Sequence, residues 1–139
     1  MYTARLARFV LLAAITLIIP AGCSQSGLPK LAAVSGVVTL DGVPYPNAKV
    51  VFSPAKGRPS EGVTDGNGKY ELMYLPEVKG AELGNHTVSI TTQYQAPENP
   101  TGNEPQFKEP LPSKYHVTST LTATVNEGAN EVSFPLLRK

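Results

Sequence analysis

Few side chains in this chain are of types that do chemistry: one cysteine, Cys23, and two histidines, His86 and His116. A metal centre wants three or more converging ligands. Two histidines thirty positions apart, with no thiolate beside either, do not announce one. His86 falls on the inward parity with Val88 and Ile90, which reads as a structural histidine. The segment Asp65-Gly66-Asn67-Gly68 invites a calcium reading, but an EF-hand loop would need an oxygen ligand at Lys69 and a glutamate at Pro76. It reads instead as a tight turn, because Asp and Asn side chains bond the backbone ahead of them and glycine accepts positive φ. There is no Gly-x-Ser-x-Gly elbow and no phosphate-binding glycine loop. No metal, cofactor or catalytic constellation is therefore expected. The residual catalytic alternative centres on His116 with Tyr115 and Glu109.

Cys23 is the exception, because its neighbours supply a chemistry. A free cysteine commonly packs as a small hydrophobe, and a disulfide within the chain would need a second cysteine. Here Arg5 and Arg8 precede an uncharged apolar run from Phe9 to Ile19, and Ala21-Gly22 lead into Cys23. That is the layout of a secretory signal peptide, with an apolar part too short for an ordinary membrane span. Ala21-Gly22-Cys23 resembles the bacterial lipobox, with Pro20 standing where that motif usually carries leucine or another aliphatic. The resemblance implies a helical signal over residues 1–22 and Cys23 as the first residue of the exported chain. Its sulfur would form a thioether to diacylglycerol, with a further acyl chain of the palmitate type on the new amino terminus. Each buried methylene adds about 0.8 kcal/mol, and more than one chain makes anchoring stable. Ser24 stands where an inner-membrane retention signal would have Asp, which favours an outer membrane.

Removal of the first 22 of 139 residues leaves 117, with ten basic residues once Arg5 and Arg8 are gone and eleven acidic ones. So even a mixture offers no basic patch for nucleic acid and no polybasic membrane surface. The size suits one domain with one core. Thirteen prolines and twelve glycines in the chain punctuate it into short strands and turns.

The elements that must carry these residues follow from the period-two pattern. Residues 23–33 read as the lipidated cysteine and a polar tether, and 34–139 as the domain. Val34, Gly36, Val38 and Leu40 share one face, and Asp41-Gly42 signals a turn. Ala48, Val50 and Phe52 face inward on a second strand, and Glu61 to Thr64 suggests a third. After the Asp65–Gly68 turn, Tyr70, Leu72 and Tyr74 share a face. Gly84 precedes a strand with Val88 and Ile90 inward. Leu121, Ala123 and Val125 alternate with threonines, and Val132, Phe134 and Leu136 make a last strand. Pro135 cannot donate a ladder hydrogen bond, so that strand is expected to lie at an edge or to end there. About seven short strands predict an all-β, antiparallel Greek-key β-sandwich, with a small barrel as the alternative.

Residues 93–114 break the pattern with Pro97, Pro100, Pro105, Pro110 and Pro112. Loops this long without structure are often functional or disordered. Two readings stand: a solvated excursion, or a binding loop presenting Tyr94, Phe107, Lys114 and Tyr115.

The run Gly62-Val63-Thr64-Asp65-Gly66-Asn67-Gly68-Lys69-Tyr70-Glu71-Leu72 resembles the signature of carboxypeptidase regulatory-like domains, transthyretin-like β-sandwiches in which a threonine–aspartate turn is followed by glycine and an aromatic. Val34 to Gly42 with Pro46-Asn47-Ala48-Lys49-Val50 looks like that family's first hairpin, and Gly84-Asn85-His86-Thr87-Val88 like its glycine-then-strand segment. Pro112-Ser113-Lys114-Tyr115 and Asn130-Glu131-Val132-Ser133-Phe134 are similar to elements of small bacterial lipoproteins that carry this one domain. The resemblance covers roughly Val34 to Leu137 and implies a transthyretin/Ig-like fold and an envelope location. It implies no hydroxyisourate hydrolysis: the chain ends Pro135-Leu136-Leu137-Arg138-Lys139 and lacks the Tyr-Arg-Gly-Ser tail of relatives with that activity. The expected protein is a lipid-anchored lipoprotein of the bacterial cell envelope. Its sandwich is non-catalytic and binds a protein or carbohydrate partner. A small-ligand carrier is the alternative.

Overall fold

The computed structural model describes residues 27–139. The expected signal segment and Cys23 lie outside the described residues. The strands are β1 (Leu31–Leu40), β2 (Val43–Pro44), β3 (Ala48–Pro54), β4 (Ser60–Val63), β5 (Lys69–Glu71), β6 (Met73–Leu75), β7 (Val78–Lys79), β8 (Ala81–Glu82), β9 (Gly84–Thr92), β10 (Thr122–Val125), β11 (Ala129–Glu131) and β12 (Phe134–Leu136). A 3-10 turn spans Ser113–Tyr115. The fold is the expected all-β sandwich. The count exceeds seven because the expected 69–75 strand is split into β5 and β6, and the short β2, β7, β8 and β11 are added.

Two sheets face each other. One is built around β1, which takes β2, β5 and β8 antiparallel, and β11 and β12 parallel. The other runs β10-β9-β3-β4-β6-β7, antiparallel throughout. The segment β9-β3-β4-β6 has the spatial order of a Greek key, since β9 returns over a long connection to lie beside β3. The parallel pairs are the departure from a purely antiparallel sandwich: the final segment runs alongside β1 in the same direction.

The core follows the alternation. Val34, Val38 and Leu40 from β1 meet Ala48, Val50 and Phe52 from β3 and Val88 and Ile90 from β9, all buried. Phe134 packs edge-on against Phe52, with ring centroids 6.2 Å apart, and stacks with Tyr70 at 6.3 Å. Aromatic pairs in this range add about 0.5–1.5 kcal/mol beyond the area they bury. β1 begins at Leu31, three residues ahead of the expected Val34, so the polar lead-in between Cys23 and the sheet is shorter than expected.

One expected strand changes partners midway, and the C-terminal segment is broken while keeping β1 as its partner. Tyr70, Leu72 and Tyr74 are all buried, but β5 pairs with β1 in one sheet and β6 with β4 in the other. The chain crosses at Leu72, whose N–H donates to Val34 O at 2.9 Å and whose carbonyl accepts from Gly80 N at 2.7 Å. The last strand is interrupted at Val132 and Ser133. The Val132 carbonyl there accepts from Tyr70 Oη at 2.5 Å, and its carbonyl fills the space over Gly36, where any Cβ would overlap it. Glycine is required at 36 by this close approach. Burial also pushes the Tyr70 phenol well above its ordinary value.

Candidate functional site

Residues 93–108 form an arm closed at its base. Glu109 takes three hydrogens: Thr92 N–H at 2.8 Å, Thr92 Oγ1–H at 2.7 Å and Leu111 N–H at 3.0 Å. Thr92 spends its hydroxyl proton on Glu109, so Tyr45 Oη, 2.7 Å away, donates to Thr92 Oγ1. Gln93 N–H donates to Asn47 O at 2.7 Å. One step out, Tyr94 and Phe107 stack, with centroids 4.6 Å apart and planes 19° from parallel. At the tip Glu104 accepts from Thr101 N–H and Thr101 Oγ1–H, at 2.5 and 2.8 Å, and from Gly102 N–H at 3.0 Å. These bonds, the Thr101 amide first, hold the Glu104 carboxyl down at about 2.

The arm therefore has a clamp, an aromatic step and a capped tip. Tyr94 and Phe107 remain 48% and 42% exposed while stacked. Exposed aromatics held at low conformational cost are the residues that anchor protein and sugar contacts.

The other two expected contact residues do not join them. Tyr115 is buried at 8% exposure. Its hydroxyl donates to Leu137 O at 3.2 Å and accepts from Leu137 N–H at 2.9 Å, which makes it a packing residue beneath the C-terminal segment. Lys114 lies over the Tyr115 ring at 5.1 Å and donates to Lys139 O at 3.1 Å. The second half of the expected loop thus returns to the core, with Leu111 buried as well. No sequence signal marked Glu109 as the clamp, because its partner lies 17 positions back.

Asp65, Gly66, Asn67, Gly68 and Tyr70 stand where a turn motif would put them. Asp65 Oδ1 accepts from Asn67 N–H at 2.8 Å and Lys69 N–H at 3.0 Å. Gly68 has φ +72°, and its carbonyl accepts from Val38 N–H at 2.8 Å. The turn is docked on β1, and its residues serve the fold.

His86 is buried, as its parity predicts. Nε2 is 2.8 Å from Glu82 O and so carries the proton, and the ring lies 5.7 Å from Phe52. Nδ1 has no partner among the described residues. His116 Nε2 is 3.1 Å from Leu111 O. His116, Tyr115 and Glu109 are thus each engaged by main-chain atoms rather than turned toward one another. Among the described residues no group of three or more His, Cys, Asp or Glu side chains is placed to hold a metal ion, and no helix is long and apolar enough to cross a membrane.

Among the described residues, clefts open on the β10-β9-β3-β4-β6-β7 sheet. A 550 Å³ cleft lies over Ser53, Asn85, Thr87, Thr122 and Thr124. A 770 Å³ cleft lies over Arg58, Val63, Met73, Leu75 and Pro76.

No protein-family model matches the chain, and no curated protein matches it. Among solved structures it is similar to a DUF3823 family protein from Parabacteroides merdae ATCC 43184, at 15% identity and a TM-score of 0.44, over 77% of this chain and 46% of that one. The chain spans about half the length of that structure. The fold class rests on the strand pairings themselves.

Proposed function

We propose that this chain is a lipid-anchored lipoprotein of the bacterial cell envelope, held in the outer membrane through Cys23, whose carboxypeptidase regulatory-like sandwich is a non-catalytic module that binds an envelope protein or glycan. The observation that carries the binding role is the arm: a clamped projection that keeps two stacked aromatics in solvent. Its position supports the reading. Tyr45 bonds the Val38 carbonyl of β1 and the Thr92 hydroxyl at the arm's base, so the arm leaves from the Leu40 end of β1. The tether enters at Leu31. A ten-residue strand spans roughly 30 Å. An anchor at Cys23 would therefore leave the arm on the side facing away from its membrane, where a partner can reach it.

The test has two parts. Metabolic labelling with an alkynyl palmitate should tag the wild-type chain and leave Cys23→Ala unlabelled and out of the membrane fraction. Label retained by Cys23→Ala would end the anchor at that residue. Mild crosslinking in the native envelope, followed by mass spectrometry, should recover a partner that disappears when residues 95–106 are replaced by a short Gly/Ser linker. A partner kept by the arm variant would place the contact elsewhere.

A further inference from the structure

The 770 Å³ cleft at the seam of β4 and β6 has the size of a small-molecule site. Its floor and walls include Val63, Met73, Leu75 and Pro76 on the outer face of the sheet, with Val63 41% exposed. Charge bookkeeping then singles out one group. Glu61 is neutralised by Lys49 at 2.8 Å and Glu71 by Lys79 at 2.9 Å. Arg58 makes no ion pair among the described residues. Its Nε donates to Tyr74 O at 3.1 Å, which orients the guanidinium, and neither terminal amino group has a partner among the described residues. The nearby Glu82 carboxylate is engaged by the Arg58 main-chain N–H and by Tyr74 Oη, each at 3.2 Å. A guanidinium fork beside apolar surface is matched by a planar carboxylate on an apolar body.

We infer that this cleft binds a small amphiphilic monocarboxylate, its carboxylate on the free end of Arg58 and its hydrocarbon part against Val63, Met73 and Leu75. With Glu61 and Glu71 already paired to Lys49 and Lys79, Arg58 is, among the described residues, the one cation that lines the cleft, which matches a ligand with a single carboxylate. The site lies on the sheet face and does not involve the arm, so it stands apart from the partner-binding role.

The test is direct because Met73, inside the cleft, is the one methionine that remains once residues 1–22 are removed. Methyl-¹³C methionine therefore reports from the cleft alone. Hexanoate is the probe and hexanamide its uncharged counterpart. The Met73 methyl should shift saturably with hexanoate, and hexanamide should bind at least tenfold more weakly. Arg58→Gln should bring hexanoate down to the hexanamide level. Val63→Glu, at an exposed position that retains the reporter, should abolish the shift. Equal response to acid and amide, no Met73 response to hexanoate, or undiminished binding in folded Arg58→Gln or Val63→Glu would each overturn the assignment.

Discussion

The Asp65–Gly68 turn and the 93–108 arm are closed by the same device, a carboxylate collecting main-chain N–H groups, yet they end in opposite states. Asp65 reaches amides two and four residues ahead. Glu109 reaches back 17. The short closure lies flat on β1, tied by the Val38–Gly68 bond of 2.8 Å. The long one leaves the sheet and carries its aromatics in solvent. Loop closure costs more entropy as the loop grows, though only logarithmically. The arm offsets that cost with three bonds at Glu109, a stacked pair above them and a capped tip. A turn that serves the fold spends its bonds inward, whereas the arm's bonds hold a surface outward.

The contrast can be broken most severely at the turn. Gly68→Ala should cost about 3 kcal/mol or more, because a Cβ there would sit 2.5 Å from Val38 O and the backbone is at φ +72°. Urea denaturation measures it, and a loss under about 1 kcal/mol would mean the turn is not pinned to β1. At the arm, Glu109→Ala should cost about 2 kcal/mol through the amides and hydroxyl it abandons. Hydrogen exchange should speed up at Thr92 and Leu111 while the β3–β9 amides keep their protection. Glu109→Gln, which still accepts, should recover part of the loss. Tyr94→Ala removes one stacked ring and should cost about 0.5–1.5 kcal/mol, expressed as faster exchange across 95–106 with little change in global unfolding.

The smallest effect is at the tip. A carboxyl held at about 2 in the folded arm contributes order that is present above the ordinary carboxylate value and lost as pH falls through about 2. The Thr101 and Gly102 amide resonances should therefore titrate near pH 2. A midpoint near the ordinary 4.5 would mean the cap does not form.

The same contrast explains what the sequence made legible. Asp65-Gly66-Asn67-Gly68 signals its turn because every partner of Asp65 lies within four residues. The alternation of Val34, Val38 and Leu40, or of Ala48, Val50 and Phe52, signals strands because burial follows a period of two. The parallel return of β11 and β12 along β1, the crossing at Leu72 and the Glu109 clamp depend on partners far along the chain, which no local pattern encodes. The proline-rich composition marked out 93–114 as unusual but could not divide it. Tyr94 and Phe107 stand in solvent, while Leu111 and Tyr115 are buried. Nor could it show that Lys49 and Lys79 neutralise two of the charges at the larger cleft and leave Arg58 free.

The most direct measurement compares the two closures as contact surfaces. A photo-crosslinking amino acid is placed at Asn99 on the arm, or at Gly66, where a side chain meets nothing within 4 Å. Both proteins are irradiated in the native envelope. The account predicts a discrete adduct from position 99 and none from position 66. No adduct at 99, or equal adducts at both, would contradict it.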